Sequence, residues 1–289
     1  MDNVTIPTAP PERVIPELKD NRLWIGCPAY GSKIDLDFAT SLMSCFAQLE
    51  CVGDLQFGGG DSLVCRARNN LVAMFLAGRV RQVMLDNKIE ERLVKFDWLL
   101  FLDTDLIFKP TDVKMLYELA IRKGPGVYAG TYPLKTIRPK IVFNPRPGST
   151  VDENGVVSVF EAGTGFMLIH RSVFVKMAKA NPENDFSADN GDGFSPGGTL
   201  KHDFFQVGVY HQANKPSRYL SEDWFFCRKW IDMGGDILMQ TKICANHIGM
   251  ISYPLDPDQI MEVAKVYEST LTRKKKERDE AEKKVADAA

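Results

Sequence analysis

The chain has 289 residues, 44% of them hydrophobic and 26% charged, with a formal net charge of −2. This is ordinary globular composition with enough apolar residues for a sizeable core, which excludes a disordered chain. It also gives no global field for polyanions, so a nucleic-acid partner would need a local basic patch. The six cysteines are scattered, with no C-x-x-C pair, which excludes a zinc ribbon or a disulfide framework and predicts reduced core thiols in a cytosolic protein.

Residues 1–21 read as a polar, proline-rich extension without an apolar signal core. No uncharged apolar stretch approaches the roughly 20 residues needed to span a bilayer, so the expectation is a soluble, cytoplasmic protein. A short strand is predicted over 22–27, turned by Pro28-Ala29-Tyr30-Gly31 into an amphipathic helix over 36–51. A second helix is predicted to start at Asp61 or Ser62, after the glycines 58–60, and to run through Leu71, Val72, Phe75 and Leu76. That glycine run lacks the lysine of a phosphate-binding Walker loop and reads as a turn.

The apolar run Asp-Trp-Leu-Leu-Phe-Leu-Asp-Thr-Asp at 97–105 predicts a strand buried on both faces. Pro110-Thr111-Asp112 opens a helix that stops at Gly124, and 127–130 is a further strand. The pattern then changes to hairpin-like pieces at 141–143 and 156–160, a strand at 166–169 and a helix at 172–180. Residues 181–220 read as a long loop rich in Gly, Asn, Asp, Ser and Pro, with interspersed aromatics. A helix over 222–233 closes at Gly234-Gly235, and a strand follows at 236–240. From 256 onward the chain is one charged helical stretch carrying Arg273-Lys274-Lys275-Lys276-Glu277-Arg278, read as a solvated helix or tail and, as a second reading, a self-association helix or anionic-surface contact. The division is therefore an extension (1–21), a catalytic domain (22–255, nucleotide-binding half 22–130 and acceptor half 131–255) and a charged tail (256–289).

Open sheets bind ligands beyond the carboxyl ends of their strands, which is where Asp103 and Asp105 fall. Two carboxylates at i and i+2 can share one hard cation and the pyrophosphate it neutralises. They can also be polar residues of a strand-to-helix turn. Gly163-Thr164-Gly165, before the strand at 166–169, reads either as a tight turn needing positive φ or as bare backbone open to close approach. Glu222-Asp223 opens a helix with Ser221 as its cap, a place where acids complement the helix dipole. His247 follows a strand in Cys244-Ala245-Asn246-His247-Ile248-Gly249.

Taken in order, the D-x-D triplet at 103–105, the glycine loop at 163–165, the acidic pair 222–223 and the late histidine 247 resemble the GT-A-type nucleotide-sugar glycosyltransferases. The likeness is to the small inverting enzymes of bacteria, phages and large viruses, over about residues 22–250. The resemblance implies a GT-A (Rossmann-like) α/β fold: a mixed, mainly parallel sheet flanked by helices. It implies transfer of a hexosyl or pentosyl group from a nucleotide sugar to an acceptor hydroxyl, with inversion, assisted by Mn²⁺ or Mg²⁺. The metal would be held by Asp105, Asp103 and His247. The donor would meet Pro28, Tyr30, Arg66, Arg68, Asn69, Asp103, Thr104, Gly163 and Gly165. Asp223 would be the general base with Glu222 beside it, and Trp224 would shape the acceptor site.

A UDP-sugar is the family-level expectation for the donor. The acceptor stays open among a DNA base, a protein and a glycan, in a host cytoplasm if the source is a phage or virus. A DNA acceptor would require Lys135, Arg138, Lys140, Arg146 and the tail to form a basic patch. Two other classes share the fold. A sugar-phosphate nucleotidyltransferase would begin with a glycine- and arginine-rich phosphate loop, which 25–33 lacks. A non-catalytic GT-A-like binding module would bind donor without turnover.

Overall fold

The computed structural model describes residues 14–136, 141, 143–187, 200–212, 215–249, 252–253 and 280. Its strands are β1 (Glu17–Ala29), β2 (Val52–Gly59), β3 (Arg79–Leu85), β4 (Lys88–Leu102), β5 (Leu106–Ile107), β6 (Val127–Thr131), β7 (Phe143–Pro145), β8 (Val156–Ala162), β9 (Phe166–His170), β10 (Asp185–Ser187), β11 (Leu200–His202), β12 (Gly208–Gln212), β13 (Lys215–Leu220), β14 (Ile237–Cys244), β15 (Asn246–Ile248) and β16 (Ser252–Tyr253). The helices are α1 (Leu36–Gln48), α2 (Val64–Ala77), α3 (Pro110–Lys123), α4 (Arg171–Ala180) and α5 (Glu222–Asp232).

One nine-stranded sheet runs in the order β2-β1-β4-β9-β6-β14-β8-β7, with β3 added beside β4. β1 is parallel to β2 and β4, and β14 is parallel to β6. β9 is antiparallel to both β4 and β6, and β8 is antiparallel to β14. It follows that β2, β1, β4, β6 and β14 share one direction while β9 and β8 run against it. This is the mixed, mainly parallel α/β sheet that the sequence predicts.

Alternation along β4 explains why its sequence is apolar throughout. Leu99 and Phe101 enter one buried cluster with Leu71 and Phe75 of α2, Phe174 of α4 and Phe226 of α5. Leu100 and Leu102 enter the other with Phe38 and Leu42 of α1 and Leu116 of α3. With helices on both faces, every side chain at the strand's end is buried, as the period of two requires.

Several boundaries differ from expectation. β1 reaches back to Glu17, into the segment read as an extension. α2 starts at Val64 and not at Asp61 or Ser62, because the Asp61 carboxylate accepts from the Leu63 N–H (2.9 Å) and from Arg66, fixing a turn ahead of the helix. β2 was not foreseen, its apolar residues being interrupted by Gly, Asp and Gln. Gly53 is needed there, since a Cβ would sit 2.4 Å from the Phe96 ring. The β3–β4 hairpin was missed as well. Its turn residues Asp86 and Asn87 both have positive φ (46° and 59°), a type I′ signature that the flanking alternation could have revealed.

The segment 181–220 is not a structureless loop among its described residues. β10 pairs with β11 and β12 with β13, both antiparallel, and Phe204 and Phe205 enter the core. Of the basic residues that a DNA acceptor would require, the two described ones are engaged within the protein: Lys135 is bound to Asp105, and Arg146 is bound to Asp236 (3.3 Å) and lies over the Phe160 ring. Residues 1–13, Arg138, Lys140, 188–199 and the charged C-terminal stretch other than Glu280 lie outside the described residues. All six cysteines are free thiols, with Cys27, Cys45 and Cys227 buried. No helix among the described residues is long and apolar enough to cross a membrane.

Candidate active site at the carboxyl edge of the sheet

The chain leaves β4 at Leu102 and turns at once, with the Leu106 N–H donating to the Asp103 carbonyl (3.2 Å). β5 then pairs antiparallel with β15 in a separate small sheet that sets His247 opposite Leu106. The Ile248 N–H donates to the Asp105 carbonyl (2.7 Å) and locks the register. This is how a histidine 142 positions downstream comes to face the triplet: its Nε2 is 3.4 Å from Asp105 Oδ1.

The other ring nitrogen, Nδ1, lies 2.8 Å from the Pro133 carbonyl oxygen. A carbonyl only accepts, so Nδ1 carries a proton, and Nε2 is the ring nitrogen turned toward Asp105. A carboxylate oxygen and an imidazole nitrogen 3.4 Å apart can both reach one divalent ion at ligand distances of about 2.1 Å. No group of three His, Cys, Asp or Glu converges on a metal-sized site among the described residues. The remaining positions of such an ion would fall to substrate oxygens and water, as is usual for Mg²⁺ on phosphates. Burial would raise the Asp105 pKa, but hydrogen bonds from His247 and Lys135 outweigh it and hold the carboxyl below its ordinary value.

Arg68 ties the triplet to the start of α5. Its guanidinium is 3% exposed, donates to Asp103 Oδ1 (2.9 Å) and has Nε 3.5 Å from Glu222 Oε1. It lies over the Phe101 ring, 5.5 Å from its centroid. Burial opposes its charge, yet Asp103 and Glu222 outweigh burial and raise its pKa. Arg68 thus bridges Asp103 and Glu222, and its guanidinium is turned to these acids inside the protein.

At 163–165 the chain does turn, but neither Gly163 nor Gly165 has positive φ, so the expectation of a positive-φ turn is corrected. Gly165 is needed for space: a Cβ there would meet Asp103 Oδ2 and the Tyr132 hydroxyl, each at 2.8 Å. The Gly165 carbonyl accepts from the Asp103 N–H (3.0 Å), and its N–H donates to the Tyr132 hydroxyl (3.0 Å). The close approach is by the protein's own side chains. Thr164 is buried, and its hydroxyl has no hydrogen-bond partner among the described residues.

Asp223 sits in the first turn of α5. Burial, followed by the neighbouring Glu222 charge, pushes its carboxyl up to about 6. Ser221 is the N-cap residue but not a side-chain cap: its hydroxyl hydrogen-bonds to Asp223 Oδ1, which also accepts from the Trp224 N–H (2.8 Å). The Trp224 ring is covered by the Arg218 guanidinium at 5.3 Å. α5 is held by Glu161, which is fully buried and accepts from Arg228 Nε (2.6 Å), Arg218 Nη1 (2.6 Å) and Asn144 Nδ2 (2.5 Å).

The residues expected at the nucleotide divide into two groups. Pro28, Tyr30, Asp103, Thr104 and Asp105 line one cleft of about 180 Å³, with Tyr30 78% exposed at its rim. The Thr104 hydroxyl is 3.5 Å from the Pro28 carbonyl, linking the ends of β4 and β1 across this cleft. Arg66 and Asn69 face other tasks. Arg66 makes a two-pronged pair with Asp61 (2.8 Å on each arm). Asn69 is spent on Asp203 (2.6 Å) and on the N–H groups of Phe204 and Phe205 (3.0 and 3.1 Å).

Two residues enter the site in ways the sequence does not signal: Tyr132 belongs to no motif, and Lys135 is marked only as one cation of a possible DNA-contact patch. Tyr132 is buried, holds Gly165 and meets the His247 ring edge-on at 5.4 Å. Burial and the charges of Asp103 and Asp223 raise its pKa far above the ordinary value, so it stays a neutral phenol. Lys135 binds Asp105 Oδ2. Both belong to the segment after β6, which no motif marks.

No family model matches the chain, and no curated protein matches it. Among solved structures, the crystal structure of A197 from STIV aligns with a TM-score of 0.46 and 18% identity, covering 82% of this chain and 87% of that one. A likeness at that level carries no argument about activity, so the functional reading rests on the site itself.

Proposed function

We propose that the protein is a divalent-metal-dependent glycosyltransferase that moves a sugar from a nucleotide-sugar donor to an acceptor hydroxyl with inversion. The observation that carries this reading is the Arg68 bridge. It sets the acidic pair 222–223 against the strand end that carries Asp103 and Asp105, which His247 of β15 faces.

In this reading Asp105 and His247 hold the cation, with Asp103 oriented by Arg68 and by the Gly165 backbone toward the donor. When bound, the ion offsets the charge that grows on the departing diphosphate. The cleft lined by Pro28, Tyr30 and Thr104 takes the nucleotide side. Asp223 accepts the proton of the attacking hydroxyl, a role that suits a carboxylate with a pKa near 6. Its Oδ1 is occupied by Ser221 and the Trp224 N–H, which leaves Oδ2 for that proton. Trp224 supplies an apolar face beside the base, suited to the carbon face of a sugar or a stacked base.

The test is transfer or hydrolysis across a panel of labelled nucleotide sugars with Mn²⁺, followed by assignment of the anomeric configuration of the product. Turnover with a new linkage of inverted configuration supports the reading. Pyrophosphate release from a sugar phosphate and a nucleoside triphosphate would replace it with nucleotidyl transfer. Tight donor binding without turnover on any acceptor would make the protein a binding module.

A further inference from the structure

Each carboxylate of the triplet already carries a cationic partner, and the two partners differ in kind. Asp103 is paired with Arg68, whose side chain is 3% exposed and is fixed by a second acid and an aromatic ring. Asp105 is paired with Lys135, and both side chains are more than a third exposed, at 38% and 39%. A guanidinium held on several sides is a permanent part of a site. An ammonium on a flexible four-carbon stem is a mobile point charge.

The placement of Lys135 is specific. It lies two residues after Pro133, whose carbonyl fixes the tautomer of His247, so one short segment both prepares a nitrogen ligand and delivers an ammonium to the carboxylate beside it. The lysine binds Oδ2 while the histidine faces Oδ1. The ammonium therefore occupies one oxygen of Asp105 and leaves the other to His247.

We propose that Lys135 is a displaceable counter-ion: it neutralises Asp105 before a divalent cation binds, is released from Asp105 by that cation, and then pairs with the phosphate oxygens of the leaving diphosphate. This rests on the metal reading of Asp105 and His247. An exposed ion pair is weak, so a divalent ion with an added imidazole ligand displaces it easily. The released positive charge stays at the edge where diphosphate charge arrives. The device thus keeps Asp105 charged and in place between turnovers.

The experiment measures Mn²⁺ binding to the full chain by the electron paramagnetic resonance signal of free Mn²⁺, without nucleotide, for wild type, Lys135→Met, Asp105→Asn and the double variant. Melting curves check that each variant is folded. Loss of an exposed pair predicts that Lys135→Met binds Mn²⁺ about two- to fivefold more tightly. That gain should vanish in the Asp105→Asn background. With Mn²⁺ saturating, inorganic pyrophosphate should bind several-fold more weakly to Lys135→Met than to wild type. An unchanged or weaker Mn²⁺ affinity in Lys135→Met, or a gain that persists without Asp105, overturns the counter-ion proposal and leaves the metal reading standing if Asp105→Asn has lost Mn²⁺. Mn²⁺ binding that is unaffected by Asp105→Asn overturns the metal reading, and the proposal with it.

Discussion

Asp105 and Asp223 are the same residue type at the same end of the sheet, and their surroundings drive them apart. Asp105 is partly exposed, with Lys135 on one oxygen and His247 facing the other, and is held below the ordinary carboxylate range. Asp223 is half-buried beside another acid, accepts from a hydroxyl and a backbone N–H, and is raised to about 6. A carboxylate that stays charged suits a cation; one that exchanges a proton near neutral pH suits a base. Environments that separate two carboxylates in this way assign their roles more firmly than the residues themselves do.

The largest effects should come from neutralising either member. Asp223→Asn is expected to lower turnover by about 10²–10⁴-fold while leaving donor affinity intact, since it removes a base and not a ligand. Asp105→Asn should lower turnover and also abolish the Mn²⁺ dependence of donor binding. Titration calorimetry with the donor separates the two. If both variants lose donor binding alike, the distinction between ligand and base is lost.

The buried side of the comparison depends on how α5 is held. Glu161→Gln leaves Arg228 and Arg218 without their shared charge partner, and breaking such a buried pair costs about 3–5 kcal/mol. The expected outcome is a clear fall in melting temperature, read by denaturant titration, with the Asp105 side still binding Mn²⁺ below the transition. Equal loss of Mn²⁺ binding in the folded variant would show that the two sides are one unit.

The raised Asp223 carboxyl also sets a pH dependence. As a base it must be deprotonated, so kcat/KM should rise through about pH 6 to an alkaline plateau. Stability runs the other way, because the folded state binds this proton more tightly than the unfolded chain. The contribution is fully present below the ordinary carboxylate value of 3.8 and is lost as pH rises through about 6. Asp223→Asn should therefore be more stable than wild type at pH 7.5, by on the order of 1–3 kcal/mol. The advantage should disappear near pH 4. Chemical denaturation at the two pH values measures it.

How much of this was legible in the sequence follows from the physics of each element. The last part of β4, from Asp97 to Leu102, and α3 and α5 were legible because apolar continuity, Pro110, and Gly234-Gly235 are local signals; the start of β4 at Lys88 was not. The ends of β1 and α2, and the strands β2 and β3, were not, because partner strands and the Asp61 turn decide them. The D-x-D triplet, Gly165, Glu222-Asp223 and His247 were legible as an ordered set and meet in space, linked by Arg68, the glycine-loop backbone and the β5–β15 pairing. Tyr132 was invisible and Lys135 was read only as one cation of a possible DNA-contact patch, since their importance lies in reaching residues 33 and 30 positions away. Asn69 shows the opposite error: a residue in a suggestive helix whose amide is consumed in holding 203–205.

Arg66 offers the smallest effect and the sharpest limit on the Asp105 side of the comparison. Its guanidinium is mostly exposed and pairs with Asp61, whose carboxylate also caps the turn before α2. An exposed pair of this kind is worth about 0–1 kcal/mol, so Arg66→Ala should shift the melting temperature by a few degrees at most. If the pair is only structural, donor affinity should stay within about twofold, since that energy is already accounted for by the turn. If Arg66 instead leaves Asp61 for the nucleotide, affinity for a nucleoside diphosphate should fall by tenfold or more while Mn²⁺ binding in its absence is unchanged. Asp61→Asn then decides between the two. It would free Arg66 and tighten nucleotide binding in the second case, and only loosen the start of α2 in the first.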